Sequence, residues 1–560
     1  MKTVTVQVPV TMEAPPGQDD PRLRARVADV AQMAVSDVSL VVVRKRSLDV
    51  RRRRRPCWVL RCDVFGADER PAEGALPSVI QPRRLARPLS GFRPIIVGMG
   101  PAGLFAALTF ADHGVRCLIL DRGSPVEARN IHVRDLRRSG ALNPESNLCF
   151  GEGGAGTYSD GKLYTRTRND RVRDVYLRLV ALGISSEILI DAHPHVGTNR
   201  LIPMMPKLRH ALLEAGHELL FDVCVDDLLL GASTDPAHVV GVKASGGREF
   251  SGGPVLLATG HSARDTYEML ARHGVQMVRK PFAIGASVEH PQSLIDEAQL
   301  GSLAGHPHIG AAEYFVSQQV QTPSGRCGVY SFCMCPGGFV LPSPTWPEHL
   351  NVNGMSNAGR NSPFANAALV AQVGVDDLYD ERPGDLDDDP RYGAHIADGA
   401  LLGLALQSAL ERRAFAAGGG SYRAPAELLT DLISDRHSGV LPDKSSYRPG
   451  LTAAPLRQVL PSRIVDSLAR GARQIDRRQV SGYASGEAVI IGVETTTSSP
   501  VRIVRGDDRQ SVSHRGLYPC AEGAGYAGGI VSSAIDGMRS AEAMLAAHGV
   551  VYEQPVSGKR

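Results

Sequence analysis

The stretch from Arg93 to Asp121, RPIIVGMGPAGLFAALTFADHGVRCLILD, constrains the fold more than any other part of the sequence. An apolar run leads into Gly98, Gly100 and Gly103, an apolar helical segment follows, and a second apolar run ends on Asp121. The first glycine permits a tight turn, the second lets a pyrophosphate approach the backbone, and the third lets helix and strand pack closely. The helix N-terminus favours the anion, and the acid can bond a ribose hydroxyl. The pattern predicts a Rossmann-like nucleotide-binding unit.

Composition limits the class of protein. With 560 residues the chain exceeds one core, so two or three domains are expected. The net charge of +3 is too small over this length to indicate nucleic acid or a membrane, and no apolar run is long enough for a membrane span. The first residues lack the pattern of a signal peptide, and nine cysteines spread along the chain argue against a disulfide framework. A cytoplasmic protein is expected.

The order of strand-like and helical segments predicts an α/β protein in several parts. Residues 1–76 form a small basic βαββ domain, and the Pro-rich stretch 77–92 is a linker. Residues 93–264 are the first part of the nucleotide-binding domain, and 482–560 are its C-terminal part. Between them, residues 265–481 alternate strands, Pro-rich loops and helices, which indicates an inserted α+β domain that shapes a substrate site.

The N-terminal domain carries a block of basic residues, Arg44 to Arg46 and Arg51 to Arg55. Such a block can bind the phosphates of RNA, or it can be the solvated part of a hairpin. The second interpretation is favoured, because the rest of the chain offsets the charge and no aromatic residues interleave with the block to stack bases.

Three further stretches have the composition of backbone that approaches a ligand. Cys149 to Arg166 contains five glycines between Gly151 and Gly161, which weaken any helix or strand and favour a loop facing a cofactor over a flexible linker. An apolar strand ends at Ala258-Thr259-Gly260, and Leu517 to Gly537 leads from an apolar run through an acid and glycines into a helix.

Several motifs together resemble the bacterial FAD-dependent dehydrogenases of largely uncharacterised function, within the wider glutathione-reductase-like flavoproteins. They are GMGPAGLFAAL, ILDRG, FGEGGAGTYSDGKLYTR, LLATGHSARD, FCMCPGGFV, NGMSNAGRNSPFANAAL, TSSPVR and CAEGAGYAGGI. The resemblance covers nearly the whole chain. It implies a Rossmann-like FAD-binding domain interrupted by an inserted domain. The family's ETRTSSPVR carries an arginine where this chain has Thr496, so any anion contact by that arginine is in doubt here.

The resemblance also implies a set of FAD-binding residues. Asp121 would hold the adenosine ribose in place of the usual Glu, and Glu522 would replace the usual Asp near the ribityl chain. The expected cofactor-binding residues are Gly98, Gly100, Pro101, Ala102, Gly103, Asp121, Arg122, Arg129, Gly153, Gly154, Ala258, Thr259, Gly260, Glu522, Gly523, Gly525, Gly528 and Gly529.

The candidate acid–base residues are His261, Asp160 and Lys162, with Tyr158 and Glu289 also considered. His261 is the best placed because it directly follows the Ala-Thr-Gly strand end, although it could instead only cap that strand. No nucleophile motif such as G-x-S-x-G appears, which argues against covalent hydrolytic chemistry.

Cys333 and Cys335 form a C-x-C pair. They could be a redox pair, metal ligands or buried strand cysteines. A C-x-C disulfide closes a small, strained ring, and no other Cys pair or His spacing completes a metal site. A structural or substrate-lining role is therefore favoured, and no metal is expected.

Only one dinucleotide motif is present, so a reductant such as NAD(P)H would visit the flavin transiently. The first hypothesis is an FAD-dependent oxidoreductase that transfers hydride between the flavin and a small organic substrate. The second is an RNA-associated flavoprotein docking through the basic N-terminal domain. The third is a flavin-binding protein without turnover.

Overall fold

The computed structural model of the protein describes residues 1–11, 20–51, 55–69, 78–82, 92–232, 236–323, 325–377 and 399–550. Residues 52–54 of the basic block and most of the predicted linker 77–92 lie outside these ranges. All nine cysteines lie within them and are free thiols. No helix in the described ranges combines the length and the apolar character needed to cross a membrane.

The N-terminal unit is a three-stranded antiparallel sheet with one helix, in the βαββ order predicted. Its elements are β1 (Lys2–Pro9), α1 (Pro21–Ala31), β2 (Leu40–Asp49) and β3 (Cys57–Phe65), with sheet order β1-β3-β2. Polar and apolar residues alternate along β1, so Val6 and Val8 face the helix side and are buried. Asp20 caps α1 by accepting from the Arg22 N–H, and Pro21 suits the first helical position.

A five-stranded parallel sheet holds the glycine motif. Its strands are β4 (Ile95–Val97), β5 (Leu118–Leu120), β6 (Glu218–Leu220), β10 (Val255–Leu257) and β23 (Leu517–Pro519), in the order β23-β10-β4-β5-β6. All of the residues of β4, β5 and β10 are buried, as short apolar runs covered on both faces should be. Helix α2 (Pro101–Asp112) follows β4 and packs against α11 (Ile530–Ala547), the last helix described.

Further helices and a small mixed sheet surround this unit. The helices are α3 (Val126–Ser139), α4 (Arg171–Ala181), α5 (Thr198–Glu214) and α6 (Arg264–Arg272). The sheet contains β7 (Val225–Leu230), β8 (Ala237–Ala244), β9 (Glu249–Ser251) and β22 (His514–Arg515).

A seven-stranded mixed sheet forms the second large layer. Its strands are β12 (Phe282–Pro291), β13 (Ser317–Thr322), β14 (Gly325–Cys335), β17 (Phe364–Val373), β18 (Ala424–Leu428), β19 (Leu451–Ala453) and β20 (Val489–Glu494), in the order β13-β14-β17-β12-β20-β18-β19. Two strand pairs join β11 (Met277–Arg279) to β21 (Val501–Ile503) and β15 (Gly338–Pro342) to β16 (Val352–Ser356). The helices are α7 (Gln292–Leu300), α8 (Leu402–Ala417), α9 (Leu429–Ser434) and α10 (Ser462–Arg478).

The protein is therefore a mixed α/β fold with one parallel and several antiparallel or mixed sheets. Strand β20, which the predicted boundary at residue 482 groups with the nucleotide-binding part, pairs with β12 and β18 of the second sheet. The description of residues 265–481 as an inserted domain stays a prediction.

Candidate functional site

A cavity of about 300 Å³ lies where the parallel strands end and the second sheet begins. Val97, Leu120 and Ala258 contribute the carboxyl ends of β4, β5 and β10 to its wall. Ligands of open parallel sheets bind at this edge of the sheet. Phe332 of β14 and Thr496, two residues after β20, reach the cavity from the side of the second sheet, so the two layers enclose it together.

The three motif glycines have three different surroundings. Gly98 adopts φ +106, and a Cβ there would lie 2.4 Å from the Ala258 carbonyl oxygen. A Cβ on Gly103 would lie 1.9 Å from the Gly98 oxygen, so this glycine lets α2 pack on β4. A Cβ on Gly100 would meet no atom closer than Gly154 Cα at 4.0 Å. Gly98 and Gly103 therefore serve the fold, while Gly100 leaves open space at the cavity.

Two helix N-termini face this space. Gly100 caps α2 and Gly529 caps α11, and neither helix has a side-chain cap on its first N–H groups. Both glycines line the cavity, together with Ile530 of the first turn of α11. Uncapped N–H groups and two helix dipoles favour an anion here. This geometry fits the pyrophosphate of a dinucleotide.

Asp121 lies at the end of β5 and lines the cavity. Its carboxylate accepts hydrogen bonds from the backbone N–H of Met99 at 2.7 Å and of Gly123 at 2.8 Å. The side chain is buried, and this burial raises the pKa of its carboxyl group despite the two N–H donors. Asp121 therefore holds the glycine turn in addition to any ribose contact.

The predicted cofactor-binding arginines occupy different places. Arg122 lines the cavity and pairs with Glu145 and Asp265. Arg129 does not reach the cavity: it is fully buried and donates to backbone carbonyls. The acceptors are the carbonyl oxygens of Asn147, Leu148, Glu152 and Gly154. Arg129 thus fixes the glycine-rich loop, which in turn lines the cavity.

His261 links segments that are distant in sequence. Its Nε2 lies 2.9 Å from the Thr496 carbonyl oxygen, and its Nδ1 lies 3.5 Å from Glu522 Oε1. Burial alone would lower the pKa of His261, but the Glu522 carboxylate outweighs it and the net shift is upward. His261, Thr496 and Glu522 all line the cavity. When it is protonated, the imidazole can donate from both nitrogens.

Asp160 and Lys162 form an ion pair at 2.9 Å on the cavity wall. Asp160 also accepts from the Ser356 hydroxyl and from Arg360 at 3.3 Å. Burial opposes the charge on Asp160, but Lys162 and Arg360 lower its pKa below the ordinary value. Lys162 donates to the Met334 carbonyl as well. The pair can orient a polar substrate group.

Cys333 sits in an irregular part of β14. The pairing with β17 shifts register between Phe332 and Cys335, and Cys333 adopts φ +46. A bulge of this kind re-aims a side chain, and both cysteines line the cavity. The Cys333 side chain is exposed, whereas Cys335 is buried. The cysteines belong to a strand and also line the cavity, and the structural or substrate-lining role favoured from the sequence stays a prediction.

The predicted site residues divide into two groups. Those that line the cavity are Gly98, Gly100, Pro101, Ala102, Asp121, Arg122, Gly154, Asp160, Lys162, Ala258, Thr259, Gly260, His261, Glu522 and Gly529. Those that lie outside the cavity wall are Gly103, Arg129, Gly153, Gly523, Gly525 and Gly528. A Cβ on Gly523 would lie 2.6 Å from the Gly260 oxygen, so this glycine keeps two cavity segments in contact.

The other acid–base candidates do not line the cavity. The Tyr158 hydroxyl donates to Asn130, and the Glu289 carboxylate accepts from the backbone N–H and hydroxyl of Ser446. No group of three or more His, Cys, Asp or Glu within the described ranges could hold a metal ion.

One supporting group was missed by the sequence analysis. Asp536 on α11 pairs with Arg505 and Arg509, each at 2.8 Å, and accepts from the Ala521 N–H at 2.8 Å. Ala521 adopts φ +58 and directly precedes Glu522. Asp536 therefore fixes the turn that presents Glu522 to the cavity. No local sequence signal identifies it, because its partners lie 15 to 31 residues away.

The hydrogen-bond donors and acceptors on the cavity wall fit the groups of FAD. Two helix N-termini meet the pyrophosphate, an open face at Gly100 admits it, and Asp121 and Glu522 offer acceptors for hydroxyl groups.

Comparisons with known proteins agree with a flavoprotein. Residues 281–497 match the family described as FAD-dependent protein, C-terminal domain-like. An uncharacterised protein of Clostridium beijerinckii is 36% identical over 533 residues, which cover 93% of this chain and 95% of that protein. A thiamine thiazole synthase of Methanococcus vannielii is 28% identical over 136 residues, 24% of this chain and 41% of that enzyme. The chain thus spans less than half of that synthase.

Solved structures show a more distant likeness. The myxobacterial chondrochloren halogenase CndH, an FAD-dependent halogenase, shares 12% identity with a TM-score of 0.32 over 83% of this chain and 76% of that one. THI4 of Thermovibrio ammonificans shares 16% identity with a TM-score of 0.23, over 34% of this chain and 66% of that one. Identities and TM-scores this low give no basis for an activity. Membership of the glutathione-reductase-like class stays a prediction.

Proposed function

We infer that this chain, which belongs to the same protein family as the Clostridium beijerinckii relative and whose residues 281–497 match the family described as FAD-dependent protein, C-terminal domain-like, is an FAD-dependent oxidoreductase. Its proposed reaction is hydride transfer between the flavin and a small organic substrate, with NAD(P)H as a candidate transient electron donor. The observation that supports this most is the single cavity wall shared by the glycine motif and by His261, Lys162 and Cys333.

The residues proposed to hold FAD surround the two helix N-termini. The N–H groups that open α2 and α11 receive the pyrophosphate, Asp121 accepts from the ribose, and Glu522 lies toward the ribityl chain. When bound, the flavin supplies hydride chemistry. Apolar side chains such as Val97, Leu120 and Phe332 line the cavity and limit the water around a bound cofactor.

The chain itself supplies proton handling and orientation. The Glu522 carboxylate raises the pKa of His261 and so favours a proton on Nδ1, and the Thr496 carbonyl fixes the ring by accepting from Nε2. The Asp160–Lys162 pair presents a fixed ammonium to a polar substrate group. His261 is therefore proposed as the proton donor or acceptor, and Lys162 as a substrate-positioning residue.

The test begins with the purified yellow protein. Anaerobic titration with NADH, NADPH and a panel of alcohols, amines and hydroxy acids should bleach the flavin absorbance with at least one of them. A protein that binds FAD but that none of these bleaches would be a flavin-binding protein without turnover, and the proposal would fail.

A matched pair of variants tests His261. His261→Gln should slow the half-reaction found in the titration by about 100-fold or more, the usual contribution of a positioned acid or base. His273→Gln is the control, because His273 also pairs with a carboxylate, that of Asp227, but does not line the cavity. Equal rates in the two variants would remove His261 from the mechanism.

A further inference from the structure

An exposed aromatic cluster lies on the surface near the N-terminal unit. Tyr164, His193 and Phe315 are 52%, 53% and 64% exposed, and Phe315 is the most exposed large apolar side chain in the described ranges. The ring centroids of Tyr164 and His193 are 5.0 Å apart, and those of His193 and Phe315 are 6.1 Å apart. We call these three side chains the ring surface. Contiguous exposed rings of this kind mark binding sites.

The backbone places the ring surface beside β2. Leu163 donates its N–H to the Pro194 oxygen at 2.9 Å, which brings Tyr164 next to His193. On the other side, the Arg46 N–H donates to Ile190 and the Ala192 N–H donates to Arg46. Arg46 and its neighbour Lys45 both belong to β2. The two hydrogen bonds of Arg46 therefore bring Lys45 close to His193. The hydrogen bond with Glu313 raises the pKa of His193, and the nearby charge of Lys45 partly opposes this rise.

Three cations lie near the ring surface in space or in sequence and lack carboxylate partners: Lys45 acts on His193, and Arg166 and Arg168 follow Tyr164 by two and four residues. Lys45, Arg166 and Arg168 are exposed, and none of them forms an ion pair with any described residue. We call them the open cations. By contrast, Arg44 pairs with Asp63 and Arg46 pairs with Asp191, so those two charges are already neutralised. The open cations are therefore the charges available to an anionic ligand at this surface.

We propose that the ring surface and the open cations bind single-stranded nucleic acid. Unpaired bases stack on exposed aromatic rings, and the phosphates between them contact Lys and Arg side chains. A protein partner would bury the rings as well, but it would have to present acidic side chains opposite the open cations, whereas every nucleotide carries a phosphate. No aromatic residue interleaves with the basic block in the sequence, but the rings that lie beside β2 come from other segments of the chain. This surface is separate from the flavin cavity and does not rest on the proposed reaction.

The test uses the full-length protein and fluorescently labelled RNA and DNA oligonucleotides about 20 nucleotides long, longer than one single-strand site. Anisotropy is measured between about 50 and 200 mM salt, with a duplex of the same sequence as comparison. At least one single strand should bind more tightly than the duplex, and its affinity should fall with salt. No salt-dependent binding of either single strand would overturn the proposal.

Two variants separate stacking from charge. Tyr164→Ala combined with Phe315→Ala should weaken binding about tenfold with an unchanged salt slope. Substitution of all three open cations by Ala should reduce the slope of log affinity against log salt by about 2, since each phosphate contact on a single strand contributes about 0.7. The control replaces Arg248, which directly precedes β9, and Arg515 of β22, two exposed cations at the small mixed sheet, and should bind like the unmodified protein.

The remaining outcomes also decide the question. If the ring variant binds oligonucleotides normally but changes its oligomeric state in light scattering, the surface is a protein contact and the proposal is wrong. If duplex and single strand bind equally and the ring variant has no effect, the attraction is general electrostatics and the proposal is likewise wrong. Unchanged flavin absorbance in each variant shows that folding is preserved.

Discussion

Replacing Gly100 and Gly103 separately by alanine should separate cofactor binding from folding. Both lie within one turn at the start of α2, and both changes add a single methyl group. The Gly100 methyl would have no neighbour closer than 4.0 Å, and φ −73 suits any residue. The Gly103 methyl would lie 1.9 Å from the Gly98 oxygen and 3.1 Å from Ile96 Cγ2. The same chemical change is therefore harmless to packing at one position and impossible without movement at the other.

The magnitudes follow from these distances. Gly103→Ala should gain about 1 kcal/mol of helix propensity and lose about 3 kcal/mol or more to overlap, a net destabilisation of about 2 kcal/mol. Gly100→Ala should leave the apoprotein as stable as before or about 0.5 kcal/mol more stable, because the unfolded chain loses freedom. Its methyl group should hold the phosphates away from the N–H groups of α2 and weaken FAD binding at least tenfold, a loss of about 1.4 kcal/mol.

Two assays are needed on each apoprotein. Urea unfolding followed by circular dichroism measures stability, and quenching of FAD fluorescence during titration measures affinity. Alanine at Gly100 is preferred to a larger residue, which would reach the Gly154 loop. Unaltered FAD affinity in Gly100→Ala would refute the placement of the pyrophosphate, and an unfolding midpoint equal to that of the unmodified protein in Gly103→Ala would refute the packing argument.

Three further changes test the surroundings of the cavity. Asp536→Asn should cost about 3 kcal/mol at pH 7 in urea unfolding because it leaves Arg505 and Arg509 without their buried partner. Burial favours the neutral carboxyl group, but the two arginines outweigh this effect and hold the pKa of Asp536 well below its usual range. The difference in unfolding free energy between the variant and the unmodified protein should therefore shrink as pH falls below about 4. A difference that stays constant with pH would contradict this. Burial raises the pKa of Glu494 to about 8, so the unmodified protein should lose stability as pH rises from about 4 toward 8. Glu494→Gln cannot ionise at this position, and its unfolding free energy at pH 5, 7 and 9 should not show that loss. Ala521→Gly should raise the thermal midpoint slightly, since it relieves about 1 kcal/mol of left-handed strain at φ +58, and a lower midpoint would refute the strain.

Local patterns in the sequence were sufficient for the elements that bind a dinucleotide. Glycines at 98, 100 and 103 lie between a strand and a helix as predicted, because such a turn depends on φ angles and close packing within one short segment. The Ala258–Gly260 strand end was found for the same reason, since an apolar strand followed by a small residue and glycine leaves few alternatives.

Contacts between distant segments were not accessible in this way. Nothing near His261 indicates that Glu522 and Thr496 will meet its ring, and nothing in C-x-C predicts the bulge that turns Cys333 toward the cavity. Arg129 was placed on the cofactor, but it binds loop carbonyls, a role that depends on how the loop folds back over it. Such roles follow from tertiary packing, which residue spacing alone does not encode.

The order of strands in the parallel sheet bears on how the protein is made. β23 lies beside β10, yet about 260 residues of chain separate Leu257 from Leu517. At the usual pace of a ribosome, roughly 5 to 20 residues per second, the open edge of β10 waits for its neighbour for roughly 13 to 52 seconds. Since Glu522 and α11 are synthesised later still, the cavity cannot be closed until they have been made, and an unpaired strand edge must meanwhile be kept from other chains.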